Sequence, residues 1–488
     1  MPPPLRLIDR RSLLVAGGAA LLFSGAAAQA EAGGLLDAMN SGDPAAIARW
    51  AEGTMSPAGL RRRSAEAWGR LLADAAQRAG RLSLEGSDSQ RGATRLRLRA
   101  ARLTGVRFLD LRADRDDPAK IYDIRQVAQP VAYAGPLAPT TSRTALAAAI
   151  RRRLAFALAH DDFSGTIQVT APDGTALVRD TTGWADRVAR RAMTAETPVN
   201  IGSADKSFTA ILIGQLVEAG RIGFDTALLS VLPDYPRPEA LAGVTIRHLL
   251  AHRAGLGEPE GGILAYSQQP YDRVADLLPA IAAMPPAFAP GTRAAYSNEG
   301  YVILGAVIER LTGRPYWDVL AERLYRPAGM TGSAHLTRPE AMARAARGYL
   351  YAADDLLLAD GRIVSERQMP WRGNSCGGGY STAGDIARYF AALRAGRLLR
   401  PGTLAAMTAP ASEPYPGVHF GMGFAIDTIE GRTLIGHSGG GSAIGVGVGL
   451  RTMLDSGWSI AVMGNYDLQY AQALTTDLAT LLARTSAA

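Results

Sequence analysis

Ser203-Ala204-Asp205-Lys206 sets a lysine three residues after a serine in a chain that otherwise avoids lysine. Of the 52 lysines and arginines among its 488 residues, only Lys120 and Lys206 are lysines. Where a positive charge is merely useful, this sequence uses arginine. The two differ in acid–base chemistry. A guanidinium stays protonated at any ordinary pH, whereas a desolvated lysine amine can give up a proton and take one back. A serine hydroxyl is a poor nucleophile until a neighbour removes its proton. Residues three apart share a helix face, so the Ser203 hydroxyl and the Lys206 amine are expected to meet. The tetrapeptide alone is a cheap match. Lys120, in Asp117-Pro118-Ala119-Lys120-Ile121, also survives, with no chemistry evident around it.

Two more segments fit with this one. In Tyr296-Ser297-Asn298-Glu299-Gly300 a phenol stands two residues from a carboxamide, just before an apolar run. Tyr296 can exchange a proton with Ser203 if a lysine lowers its pKa, and Asn298 can bond a substrate amide. The plainer reading is a helix N-terminus, since Ser and Asn are good caps. In Ile435-Gly436-His437-Ser438-Gly439-Gly440-Gly441 a strand runs into glycines. That pattern lets a substrate lie along the strand edge and leaves a backbone N–H free for an oxyanion. The plainer reading there is a flexible turn.

Taken in order, S-x-x-K, Y-x-N and H-x-G resemble the serine β-lactamase and penicillin-binding-protein superfamily. The branch it most resembles is that of the class C β-lactamases with their esterase and D-peptidase relatives. Phe163-Ser164-Gly165, Thr245 to His252, Gly255-Leu256, Gly378 to Asp385 and Phe420 to Phe424 agree with that branch. The resemblance covers about 160–485. It implies a β-lactamase-like fold, α+β or α/β, with an antiparallel sheet flanked by helices and an all-helical lobe. It implies Ser203 as the acylated nucleophile and Lys206 with Tyr296 as the proton-transfer pair. Asn298, His437, Ser438, Gly439 and Gly440 become substrate-binding positions, with the N–H groups of Ser203 and Gly440 as the oxyanion hole. No cofactor or metal is implied. His248 and His252, four apart, lack the glutamate that would follow His248 in a zinc peptidase.

One departure matters. Class C β-lactamases carry Lys-Thr-Gly where this chain has His437-Ser438-Gly439. A histidine of ordinary pKa is mostly neutral at pH 7 and is a weak anchor for a substrate carboxylate. Its titration is expected between roughly pH 5 and 8. The expected function is therefore an exported serine acyl-hydrolase of the esterase or D-amino-acid peptidase type, acting on a small molecule or short peptide through a Ser203 acyl-enzyme. A true β-lactamase or D-Ala-D-Ala carboxypeptidase is the first alternative. A non-catalytic binding or sensor protein on the same fold is the second.

The rest of the chain bounds this reading. A hydrophobic content of 47% with 20% charged residues describes a globular chain, not a disordered one. The arginine runs Arg61-Arg62-Arg63 and Arg151-Arg152-Arg153 read as solvated helix faces, so no nucleic-acid partner is expected. The single cysteine, Cys376, excludes an intramolecular disulfide and reads as a small residue in a tight loop. Asp9-Arg10-Arg11 precedes an apolar run ending in Ala28-Gln29-Ala30, the layout of an export signal of the twin-arginine type over residues 1–30. The run is shorter than the ~20 apolar residues of a spanning helix, so a periplasmic or secreted protein without a transmembrane span is expected. Residues 33–130 read as a small α+β domain. Its helical spacing over Leu35–Met55 and Ala65–Ala79 is followed by strands near Thr94–Ala100, Val106–Arg112 and Ile121–Val127, similar in order to a cystatin-like cone. A Pro- and Thr-rich linker, 131–143, leads to the hydrolase domain, 144–488.

Overall fold

The computed structural model describes residues 25–90, 93–102, 106–114, 117–127, 142–159, 163–259, 262–351, 362–365, 369–415, 417–441, 444–466 and 468–485. Most of the expected signal segment and the linker therefore lie outside the described residues. The chain forms two compact units that meet in sequence at Val127 and Ala128.

In the first unit four helices, Gly25–Ser41, Pro44–Thr54, Pro57–Arg62 and Ala65–Ala79, precede an antiparallel four-stranded meander. The run expected as one helix over Leu35–Met55 is broken. Gly42 adopts φ +66°, and the Asp43 carboxylate caps the next helix by accepting from the N–H groups of Ala45 and Ala46. Strands Ala93–Ala100, Val106–Ala113 and Ile121–Val127 fall where the alternation places them. A fourth, Leu82–Gln90, was not expected, because an edge strand of mostly polar residues carries no alternating apolar pattern. Trp68 and Leu72 of the last helix pack with Leu96, Leu98, Leu109 and Ile124 of the sheet.

The second unit is built on one eight-stranded antiparallel sheet. Its order is Ser412–Tyr415, Val418–Phe420, Ala425–Ile429, Arg432–Gly441, Val446–Met453, Ser459–Gly464, Gly165–Thr170 and Ala176–Thr182. Both ends of the unit thus contribute to a single sheet. Strand periodicity sorts its side chains onto two faces. Leu434, Ile460 and Val462 meet the first and last helices, Arg143–Ala159 and Leu468–Ala483. Ile435, Val448, Leu450, Ala461 and Met463 meet the helical lobe. The C-terminal helix lies so close that a Cβ on Gly449 would stand 2.0 Å from Thr475 Oγ1. Arg153 is not the solvated residue expected of its run. It is buried and pairs with Asp477 at 3.1 Å, tying the two helices together.

The lobe is centred on the helix Asp205–Glu218, buried from Asp205 to Gly214. Around it stand Ile246–Leu250, Asn298–Thr312, Tyr316–Leu320 and Ala383–Arg394. Phe208 lies edge-on to Tyr325 and Tyr389, at 6.0 and 4.8 Å between ring centroids. The strand Ala425–Ile429 begins only after a turn closed by Gly421 and Phe424, in which Gly423 takes φ +89°.

Candidate active site

The chain enters the central helix through a 3-10 turn, Gly202–Ala204, that holds Ser203. Gly202 takes φ +50°, a left-handed conformation suited to glycine. This turn is pressed against the Arg432–Gly441 strand. A Cβ on Gly202 would lie 2.5 Å from Gly440 N, and one on Gly439 would lie 1.8 Å from Ile201 O. Only glycines allow the approach, and it brings the backbones of the Ser203 turn and Gly440 together. On its Ala425–Ile429 side the strand has no partner after Gly436 among the described residues, whereas its other side pairs through Gly441. The His437–Gly441 stretch thus keeps an edge unpaired.

Lys206 follows one turn into the lobe and is fully buried. Its ammonium has three N–H groups and meets three oxygens: Ser203 Oγ at 3.2 Å, Asn298 Oδ1 at 2.8 Å and Cys376 O at 2.6 Å. It also stands 4.8 Å from the centre of the Tyr296 ring and 5.5 Å from that of Tyr301. Ser203, Lys206, Tyr296 and Asn298 are therefore brought together. The plainer reading of the Tyr296 segment as a helix N-terminus holds. Ser297 caps the helix Asn298–Thr312 by accepting the Gly300 N–H, while Asn298 turns its oxygen to the lysine. That orientation turns the Asn298 amide N–H groups away from the lysine.

His437 is placed differently from the expectation. It is 3% exposed, and its Nδ1 lies 2.6 Å from the Ser438 carbonyl. Its ring packs on Phe420 and Tyr296 rather than opening on the substrate edge, because the lobe closes over that face of the strand. Burial, and then the Lys206 ammonium, pull its imidazole down to about 3. The titration expected between pH 5 and 8 is thereby moved below that window. The cation beside this segment is Arg451, which donates to Ser438 Oγ and is held by Asp427.

Several contributors were not read from the sequence. The Cys376 carbonyl that holds Lys206 is a main-chain atom and carries no residue signature. The thiol itself is buried, and burial pushes it up to about 12, which leaves it unreactive. Asp205, fully buried on the opposite side of the helix from Ser203 and Lys206, accepts the Gly379 N–H and pairs with His335 at 3.3 Å. It fixes the glycine loop whose Gly378 N–H bonds Gly202 O. His248 closes a capping box with Thr245, and His252 stacks on Tyr296 at 4.4 Å.

A serine, a buried lysine and a tyrosine thus stand together beside a strand edge, between an antiparallel sheet and a helical lobe. Residues 146–483 match the Beta-lactamase family model, and the chain belongs to that family. A penicillin-binding protein of Bacillus subtilis (strain 168) is 32% identical over 196 residues, 39% of this chain and 42% of its own. The esterase EstB of Burkholderia gladioli is 31% identical over 272 residues, 49% of this chain and 68% of its own. The crystal structure of D-amino acid amidase from Ochrobactrum anthropi SV3 complexed with L-phenylalanine amide superposes with a TM-score of 0.60 at 25% identity. It covers 70% of this chain and 98% of that one. The chain thus spans less than half the length of the penicillin-binding protein it matches.

The close approach of the two backbones can be tested directly. Gly439→Ala should push the Ser203 turn away and lower kcat/KM by about 10²-fold, the effect of an ångström-scale misplacement. The far-ultraviolet circular dichroism should stay unchanged. Wild-type kinetics in this variant would show that the contact does not position Ser203.

Proposed function

We propose that the protein is an exported serine hydrolase that cleaves esters or amides through an acyl-enzyme on Ser203. The carrying observation is the convergence of Lys206 on Ser203 Oγ, Asn298 Oδ1 and the Tyr296 ring. Ser203 Oγ attacks the substrate carbonyl carbon as its proton passes to the Tyr296–Lys206 pair, which reacts in the form that has already given up one proton. The N–H groups of Ser203 and Gly440 receive the oxyanion. As the tetrahedral intermediate collapses, the bond to the leaving alkoxide or amine breaks and that group takes the proton. Water then hydrolyses the acyl-enzyme and restores the serine.

Ser203→Ala should abolish turnover and labelling by a serine-directed phosphonate. Lys206→Arg should lose about 10²-fold or more, because a guanidinium keeps the charge but cannot return a proton. Near-wild-type turnover in the arginine variant would remove Lys206 from the proton path.

The substrate class follows from His437. A neutral, buried imidazole offers no charge to a carboxylate, and the Arg451 charge is offset by Asp427. This supports neutral esters, D-amino-acid amides or short peptides over β-lactams. A histidine whose folded pKa is depressed to about 3 is essentially neutral throughout pH 5 to 8. The ratio of kcat/KM for a p-nitrophenyl ester to that for its carboxylate-bearing analogue should therefore stay flat from pH 5 to 8. An inflection in that window, lost in His437→Asn, would show that His437 reads charge after all.

Export rests on the twin arginines and the apolar run of residues 10–28. The expected cleavage after Ala30 falls within the helix Gly25–Ser41. The mature chain should begin near Glu31 by intact-mass analysis of material recovered outside the cytoplasm, and a mass retaining Met1 would exclude processing.

A further inference from the structure

His252 closes the Thr245–His252 stretch and carries no role assigned so far, yet three contacts tie it to Tyr296 and its two neighbours. Its imidazole stacks on the phenol at 4.4 Å and 26°. Its Nδ1 accepts the N–H of Ser297 at 3.2 Å, and its carbonyl accepts that of Ala295 at 2.9 Å. The residues on both sides of Tyr296 are thus anchored to one histidine. The residue adopts φ +56°, a left-handed conformation unusual outside glycine, so the surroundings impose it.

His437 touches the same phenol from another side, at 6.4 Å between centroids, and both imidazoles lie edge-on or steeply tilted against Phe420 at 5.4 Å. The hydrogen bonds fix where each ring carries its proton. A backbone N–H can only donate, so His252 Nδ1 is bare and its proton sits on Nε2. A carbonyl can only accept, so His437 carries its proton on Nδ1 and leaves Nε2 bare. Both Nε2 atoms are buried without a partner, one a donor and the other an acceptor.

We propose that His252 is the positioning residue for Tyr296, acting with His437 as a pair of neutral imidazoles in opposite tautomers that fix the phenol plane over the Lys206 ammonium. This rests on the acyl-enzyme reading above. The charged and titratable groups facing the two rings are Lys206, Tyr296, Tyr301, Arg451 and each other. Burial beside Lys206 drives both imidazoles towards the neutral form, His252 well below its ordinary value. Lys206 is thereby left as the one cation in contact with the Tyr296 face among the described residues.

His252→Asn and His252→Phe separate the two contacts. Asparagine tolerates the left-handed backbone and keeps an acceptor but loses the stacked ring. Phenylalanine keeps the ring and loses the acceptor. In full-length protein, His252→Asn is expected to lower kcat for a p-nitrophenyl ester at least about tenfold with KM within about threefold. The rate of phosphonate labelling at Ser203 should fall in parallel. The acid limb of kcat/KM against pH should move by about half a unit or more, a change that simple loosening of the fold would not produce. His252→Phe should fall between this variant and the wild type. Unchanged kinetics in both variants, or a loss that only follows the unfolded fraction, overturns the proposal. If neither variant folds, imidazole 15N spectra of the wild type decide. His252 should show the Nε2–H tautomer and His437 the Nδ1–H tautomer, neither titrating from pH 8 to 5, and a titrating or inverted pair overturns the proposal. Absence of phosphonate labelling in the wild type would instead sink the acyl-enzyme reading, and the spectra would still judge the tautomers.

Discussion

The burial of one ammonium group organises this molecule. An unpaired charge in a dry interior costs several kcal/mol, and Lys206 avoids that only because three oxygens from three separate segments converge on it. One comes from its own helix, one from the start of the Asn298–Thr312 helix and one from the glycine loop at Cys376. The last two must be brought from 92 and 170 residues along the chain. The requirement to satisfy the ammonium and the requirement to assemble the site are thus the same requirement.

The supporting structure reads as a set of constraints on those three segments. Glycines at 202, 439 and 440 let backbones approach to distances no Cβ permits. Asp205 uses the far side of the same helical turn to hold the loop bearing the third oxygen. Glu299, buried next to Asn298, is met by the hydroxyls of Tyr266 and Ser297, which satisfies a second interior carboxylate and stiffens the cap. The charged groups of the interior are thus not independent features. Asp205 and Glu299 each steady a segment that meets Lys206.

Residue types and spacing made part of this legible. Ser203 and Lys206 stood out because lysine is nearly absent elsewhere, and three strands of the first unit followed from alternation. What was missed has physical causes. The edge strand Leu82–Gln90 buries too little to leave a pattern. The break at Gly42 depends on a cap rather than on hydrophobic spacing. The position of His437 depends on which strand face the lobe covers, and nothing local encodes that. His252 was read as the end of a matching stretch and against a metal site but not beside Tyr296, because the ring it stacks on is supplied by a distant segment. The Cys376 carbonyl carries no side-chain identity at all.

The unpaired side of His437–Gly441 has a further meaning. A strand edge presents a repeat of donors and acceptors, and what complements it is another main chain, not a particular side chain. Such a surface recognises extendedness. A substrate laid along it would be held through amides in line with the repeat, whatever those amides carry outward. Chirality and side-chain size must then be judged by the walls facing the edge, so selectivity in this architecture can drift by changes in loops while the gripping surface and the chemistry stay as they are.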